Sequence, residues 1–160
     1  MYRKLLACSI LCLSLMSWSI QTTYAAVPTL ISDHWSVSLD APDSDNPNMS
    51  TPVPNKVNMY SLKLKNTGGQ AYHVRVQAFR DEPGSHTQMQ LAVNGIVAPV
   101  WESGRELTVH HNLPVLAKAN DIEVVVYWET AEDQDKIVHG KKAARTWKQS
   151  FHFKQKALRR

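Results

Sequence analysis

Three places in the sequence bring chemistry-bearing residues close enough to act together: Asp40, Asp43 and Asp45; the adjacent pair His110 and His111; and the charged block Glu129, Glu132, Asp133 and Asp135, which lies between Trp128 and Trp147. Three neighbouring carboxylates can gather around calcium with backbone carbonyls, but the spacing lacks the glycine turn and distal bidentate acid of an EF-hand loop. The first group therefore reads as an acidic connector, with calcium as the alternative. Adjacent strand residues point to opposite faces, so His110 and His111 cannot ligate one ion without a bend. No His-Glu-x-x-His helix, Gly-x-Ser-x-Gly elbow, phosphate-binding glycine loop or paired-cysteine zinc motif occurs. On this reading no residue is assigned a catalytic or metal-binding role, and no cofactor is expected apart from the calcium alternative.

The elements that position these residues begin after a targeting segment. Arg3 and Lys4 precede a mostly apolar run over residues 5–20, and Thr23-Tyr24-Ala25 ends in a small residue suited to cleavage, the order of a signal peptide over 1–25. The run contains four serines and is short against the ~20 residues needed to cross a bilayer. The Leu5-Leu6-Ala7-Cys8 stretch leaves no apolar segment before its cysteine, which argues against lipid attachment. Cys8 and Cys12 both lie in the segment to be removed, so the mature chain is expected to contain no disulfide. One domain over 26–156 follows, with a basic tail at 157–160. The formal charge of +4 falls to +2 without Arg3 and Lys4, although residues 141–160 carry eight Lys or Arg and no acid. Such a segment reads first as a solvated face and frayed end, with attraction to an anionic envelope polymer, DNA or a lipid surface as the alternative; without interleaved aromatics on a shared groove, no specific nucleic acid is expected.

Period two recurs along the mature chain and predicts an all-β protein. Trp35, Val37 and Leu39 alternate with serines. Tyr60, Leu62 and Leu64, then Tyr72, Val74 and Val76, alternate with polar residues on either side of Asn66-Thr67-Gly68-Gly69, which reads as a hairpin. Met89, Leu91 and Val93 lead to Asn94-Gly95, a type I′ turn signal, after which residues 96–101 read as a partner strand, placed at an edge or bulge by Pro99. Leu107 and Val109 suggest a short strand. Ile122, Val124, Val126 and Trp128 mark the most hydrophobic strand, with Val125 and Tyr127 asking for cover on its other face. Trp147, Phe151 and Phe153 form the last inward face, so Trp128 and Trp147 are both expected in the core. About seven or eight strands fit a two-sheet antiparallel sandwich, Ig-like or jelly-roll-like. Residues 40–55, rich in proline, and 129–144 are the two loops long enough to carry function.

The hydrophobic strand ending at Trp128, the Asp133-Gln134 pair, Gly140, and the ending Trp147, Phe151, Phe153 and Gln155 together resemble the C-terminal part of the camelysin/TasA family of exported bacterial proteins. The stretch SLKLKNTGGQAYHVRVQA is similar to that family's strand, Asn-x-Gly turn and strand. Asp135 stands where the family has Asn, and its long helical insertion is missing, so the chain resembles a compact member. The resemblance implies an extracellular matrix subunit that forms fibres; camelysin's assignment as a surface metalloprotease implies the alternative of a metallopeptidase.

The leading expectation is thus a secreted structural or adhesive β-sandwich, extracellular or bound to the cell envelope, whose partners are itself, another matrix protein or an anionic envelope polymer. A surface metallopeptidase and a small secreted protein-binding or carrier module are the alternatives. Residues Val27, Leu30, Ile31, Trp35, Val37 and Leu39 form a candidate assembly strand, because a leading strand on a flexible connector can complete a neighbour's sheet. The charged block is read as structural first, with Asp133 and Gln134 bonding backbone groups and Gly140 taking a conformation other residues avoid.

Overall fold

Eight strands and one helix follow from this pattern in a computed structural model that describes residues 28–42, 51–138 and 145–155. The strands are β1 (Thr29–Ile31), β2 (Trp35–Asp40), β3 (Val57–Asn66), β4 (Ala71–Asp81), β5 (Gln88–Trp101), β6 (Glu106–Leu116), β7 (Asp121–Thr130) and β8 (Trp147–Lys154); helix α1 (Ala131–Val138) lies between β7 and β8. They form two four-stranded antiparallel sheets, β1-β2-β3-β6 and β5-β4-β7-β8. With β1 set aside, three strands face four and the chain crosses between sheets at β3–β4, β5–β6 and β6–β7, the Ig-like variant of the two-sheet sandwich. The signal segment, Val27, Asp43, Asp45, Gly140 and the 157–160 tail lie outside the described residues.

Alternation makes the core. Trp35, Val37 and Leu39 of β2, Leu62 and Leu64 of β3, Val74, Val76 and Ala78 of β4, and Ile122, Val124, Val126 and Trp128 of β7 are all buried and pack as one cluster. Val125, on the outer face of β7, is buried as well; β7 is an interior strand, flanked there by Gln77 of β4 and Ser150 of β8. Pro99 sits on β5, an edge strand, where its missing donor faces no partner.

Two turn expectations are corrected. The Asn66-Thr67-Gly68-Gly69 stretch does not close a hairpin: β3 and β4 belong to different sheets, and the four residues carry the chain across the sandwich. Two alternating strands flanking turn residues look the same in sequence whether they pair edge to edge or face each other across a core. Likewise Asn94-Gly95 makes no turn. β5 runs through it, with Gly95 at φ +132° opposite Val76 and register shifts on either side, so the glycine serves an irregularity within a long strand. The β4–β5 hairpin closes earlier, where Glu82 N donates to Thr87 O and Gly84 takes φ +80°. β6 is 11 residues rather than short, and is bulged against β3 around His110.

Candidate functional site

The connections 32–34, 67–70 and 102–105 meet at one end of the sandwich, with α1, over a cluster of tryptophans. Trp35 and Trp101 are fully buried and Trp128 is nearly so. Trp35 meets Trp101 at 5.6 Å and Trp128 at 5.8 Å between ring centroids, both edge to face, the arrangement that aromatic quadrupoles favour. Asn66, buried in the crossover, organises the lid above them. Its Nδ2 donates to Gly69 O (2.8 Å) and Trp101 O (3.0 Å), and its Oδ1 accepts from Gly68 N (3.0 Å). His34 O accepts from Thr67 N at 2.9 Å, and a Cβ on Gly68 would lie 2.9 Å from His34 Cδ2 and 3.1 Å from its Cα, so a side chain there would push these two loops apart. The exposed His34 ring tilts over Trp128 at 5.4 Å.

The charged block is a capped helix rather than a loop. Thr130 Oγ1 accepts from Asp133 N (3.4 Å), while Asp133 Oδ2 accepts from Thr130 Oγ1 (2.7 Å) and Thr130 N (3.4 Å), a reciprocal capping box with Asp in the acid position. Asp133 is buried, and the same oxygen accepts the indole N–H of Trp147 at 3.0 Å. Half-buried Gln134 donates to Glu129 Oε2, which also meets His73 Nδ1 at 2.9 Å. His73 itself is a non-glycine residue at φ 48°, where β4 is irregular.

Trp147 is not in the core: 47% of it is exposed. It lies opposite Trp128 in the β7–β8 ladder and so shares the inward face, but at the last rung. The facing sheet ends there in the 32–34 turn, whose Ser32 Oγ donates to Gln149 Oε1 at 2.8 Å. Phe151 and Phe153, farther along β8, are buried.

The candidate assembly residues are placed within the chain's own fold. β1 pairs antiparallel with β2 through Thr29, Leu30 and Ile31, and Trp35, Val37 and Leu39 point into the core, Leu30 packs against it, and Ile31 is 73% exposed. Asp40 forms an ion pair with Lys63 at 2.8 Å, which holds its carboxyl below the usual range. His110 Nδ1 accepts from Asn112 N, and burial, with help from His111, holds its pKa below the ordinary imidazole value. Among the described residues no group of three or more His, Cys, Asp or Glu is placed to hold a metal ion.

The opposite end carries a polar cleft that the sequence did not signal. Asp81, at the end of β4, accepts from Asn120 N (2.7 Å), Asn120 Nδ2 (3.1 Å) and Asp121 N (2.9 Å). Burial works to raise its carboxyl, but the three bonds together outweigh it and hold the pKa below the usual range. Gln155 is fully buried, and the amide orientation that satisfies both of its ends has it donate to the carbonyls of Ala117 and Ala119 and accept from Asn58 Nδ2. Between these anchors opens a cleft of about 360 Å³ lined by Asn55, Asn58, Ala117, Lys118 and Asn120. Its residues come from the end of the β2–β3 connector, the start of β3 and the β6–β7 turn, and no local motif links them. Another, smaller hollow of about 280 Å³ lies on the outer face of β4, β5 and β7 beside Gly95, where Arg75 sits 5.5 Å over the Tyr127 ring.

Comparison with known proteins corrects the camelysin/TasA resemblance. The model of a family described as YozF-like secreted proteins matches residues 22–159, and the chain belongs to that family. The protein YozF of Bacillus subtilis (strain 168) is 28% identical over 144 residues, covering 82% of this chain and 81% of the relative. No solved structure matches. The chain is a secreted protein. The features that carried the earlier resemblance have local physical roles: Asp133 caps a helix, Gln155 ties β8 to the β6–β7 turn, and Phe151 and Phe153 fill the core.

Proposed function

We propose, with membership of the YozF-like secreted proteins as the premise, that this β-sandwich is an adhesive module of the cell envelope that holds an envelope component non-covalently at its tryptophan end. Trp147 carries the reading. A large aromatic ring is left half in solvent at the rim of a closed core, while its N–H is fixed by a buried carboxylate that a helix cap holds in turn. A ring restrained in this way gives up little conformational freedom on binding. Tryptophans of this kind anchor interfaces, since they offer a large apolar area with few rotatable bonds. His34, tilted over the neighbouring Trp128, and the Ser32–Gln149 pair supply aromatic and polar groups at the same end. The edge strand β1 is already paired along its length with β2 of its own chain, so adhesion of this kind does not require strand exchange.

Sedimentation of the mature protein with purified cell envelopes tests the reading. Trp147→Ala is expected to weaken binding at least ~10-fold, the effect of losing a central aromatic anchor, with a circular dichroism spectrum like that of the parent. Equal co-sedimentation of the parent and Trp147→Ala would refute it.

A further inference from the structure

We infer that the cleft at the end remote from the tryptophans is a second binding site, for a polyhydroxylated anionic ligand such as one acidic unit of an envelope polymer. The site is independent of Trp147 and goes beyond the adhesive reading.

The first observation is the composition of its wall. Three carboxamides, Asn55, Asn58 and Asn120, converge on a cleft of about 360 Å³ with one ammonium, Lys118. That volume lies at the small end of ligand sites. A carboxamide both donates and accepts, which matches the paired donor and acceptor character of vicinal hydroxyls, and an ammonium supplies the counter-charge for a carboxylate or phosphate.

The second observation is which groups are committed and which are open. Asn58 Nδ2 is bonded to Gln155, and Asn120 Nδ2 to Asp81, so these two side chains are oriented by the fold. Asn55 and Lys118 make no side-chain hydrogen bond or ion pair among the described residues, and neither does the exposed Lys56 next to Asn55. Asn55 is held at φ 60° in the turn that precedes β3, with Lys56 N donating to Val53 O. The turn therefore costs backbone strain that Asn tolerates better than most residues.

The third observation is electrostatic. Among the described residues at this end, Lys154 offsets Asp121 at 2.6 Å and Arg80 offsets Glu82 at 2.7 Å, while Asp81 keeps its charge among three neutral N–H donors. Lys118 on the cleft wall and Lys56 beside Asn55 have no acid partner among the described residues, so the two ammoniums outweigh that carboxylate and favour an anion.

Titration calorimetry on the mature protein decides it, with three probes: a galacturonate oligomer, a glycerol-phosphate oligomer and a neutral glucose oligomer of equal length. Saturable binding of either anionic probe, weakened at 0.5 M salt, supports the inference and identifies carboxylate or phosphate as the anion. Lys118→Gln is expected to weaken that binding about tenfold, the loss of one charge-assisted contact. Asn55→Gly, which keeps the left-handed turn and removes only the carboxamide, should weaken it severalfold. Trp147→Ala should leave it unchanged. The inference is overturned if neither anionic probe binds saturably, if the neutral probe binds as well as they do, or if both cleft variants bind like the parent.

Discussion

Asn66→Ala tests whether one buried carboxamide holds the tryptophan end together. In the parent, its side chain makes three hydrogen bonds, two donated to Gly69 O and Trp101 O and one accepted from Gly68 N, while its own N–H donates to Arg105 O and its own C=O accepts from Gly104 N. Alanine keeps the last two and removes the first three. A net ~1 kcal/mol per bond gives about 3 kcal/mol, and the buried Trp101 carbonyl left without this donor raises the expected cost to about 3–5 kcal/mol. With a urea dependence of roughly 2 kcal/mol per molar, the unfolding midpoint followed by tryptophan fluorescence should fall by about 1.5–2.5 M. Asn66→Asp sharpens the test. A carboxylate aims a second oxygen at two carbonyls and is destabilising at pH 7, but protonation restores one donor. The buried Asp therefore has a raised pKa in the folded state, and the gap between this variant and the parent should narrow on acidification. An Asn66→Ala cost below ~1 kcal/mol would refute the idea that the crossover is fixed by this side chain.

Three further outcomes follow from the geometry. Trp128→Ala should cost about 3–5 kcal/mol as a buried ring, whereas Trp147→Ala should cost no more than about 2 kcal/mol, the loss of one hydrogen bond and a half-covered ring; comparable losses in denaturant titrations would place Trp147 in the core after all. The stability that Asp81 contributes is present above the ordinary carboxylate pKa and is lost as pH falls through its lower folded value; Asp81→Ala should therefore be less stable than the parent at pH 7, with the difference shrinking toward pH 2. His110 is held below the ordinary imidazole pKa, so the unfolded chain takes up its proton first and stability declines as pH drops from that value through the folded one; His110→Gln should flatten the stability profile between pH 7 and 5, and an unchanged slope would remove His110 as its source.

The alternation of side chains was enough to determine that the protein is a two-sheet sandwich and which faces are inside, because a strand buries every second residue whatever it pairs with. Trp35-Val37-Leu39 and Ile122-Val124-Val126-Trp128 are readable on that ground alone, and so is the edge position of Pro99. Partner choice was not. The same alternation serves a hairpin or a crossover, and it took the opposing sheet to decide that Asn66 to Gly69 spans the sandwich and that Gly95 lies within a strand. Burial at the ends also depends on where the facing sheet stops: Trp147 has the periodicity of a core residue and the exposure of a surface one, since the 32–34 turn leaves its rung uncovered. The helix cap had a local signal in Thr130 and Asp133, three residues apart, which the charge of the block obscured. The polar cleft had none, because its carboxamides come from separate segments of the chain and only the fold brings them to one place.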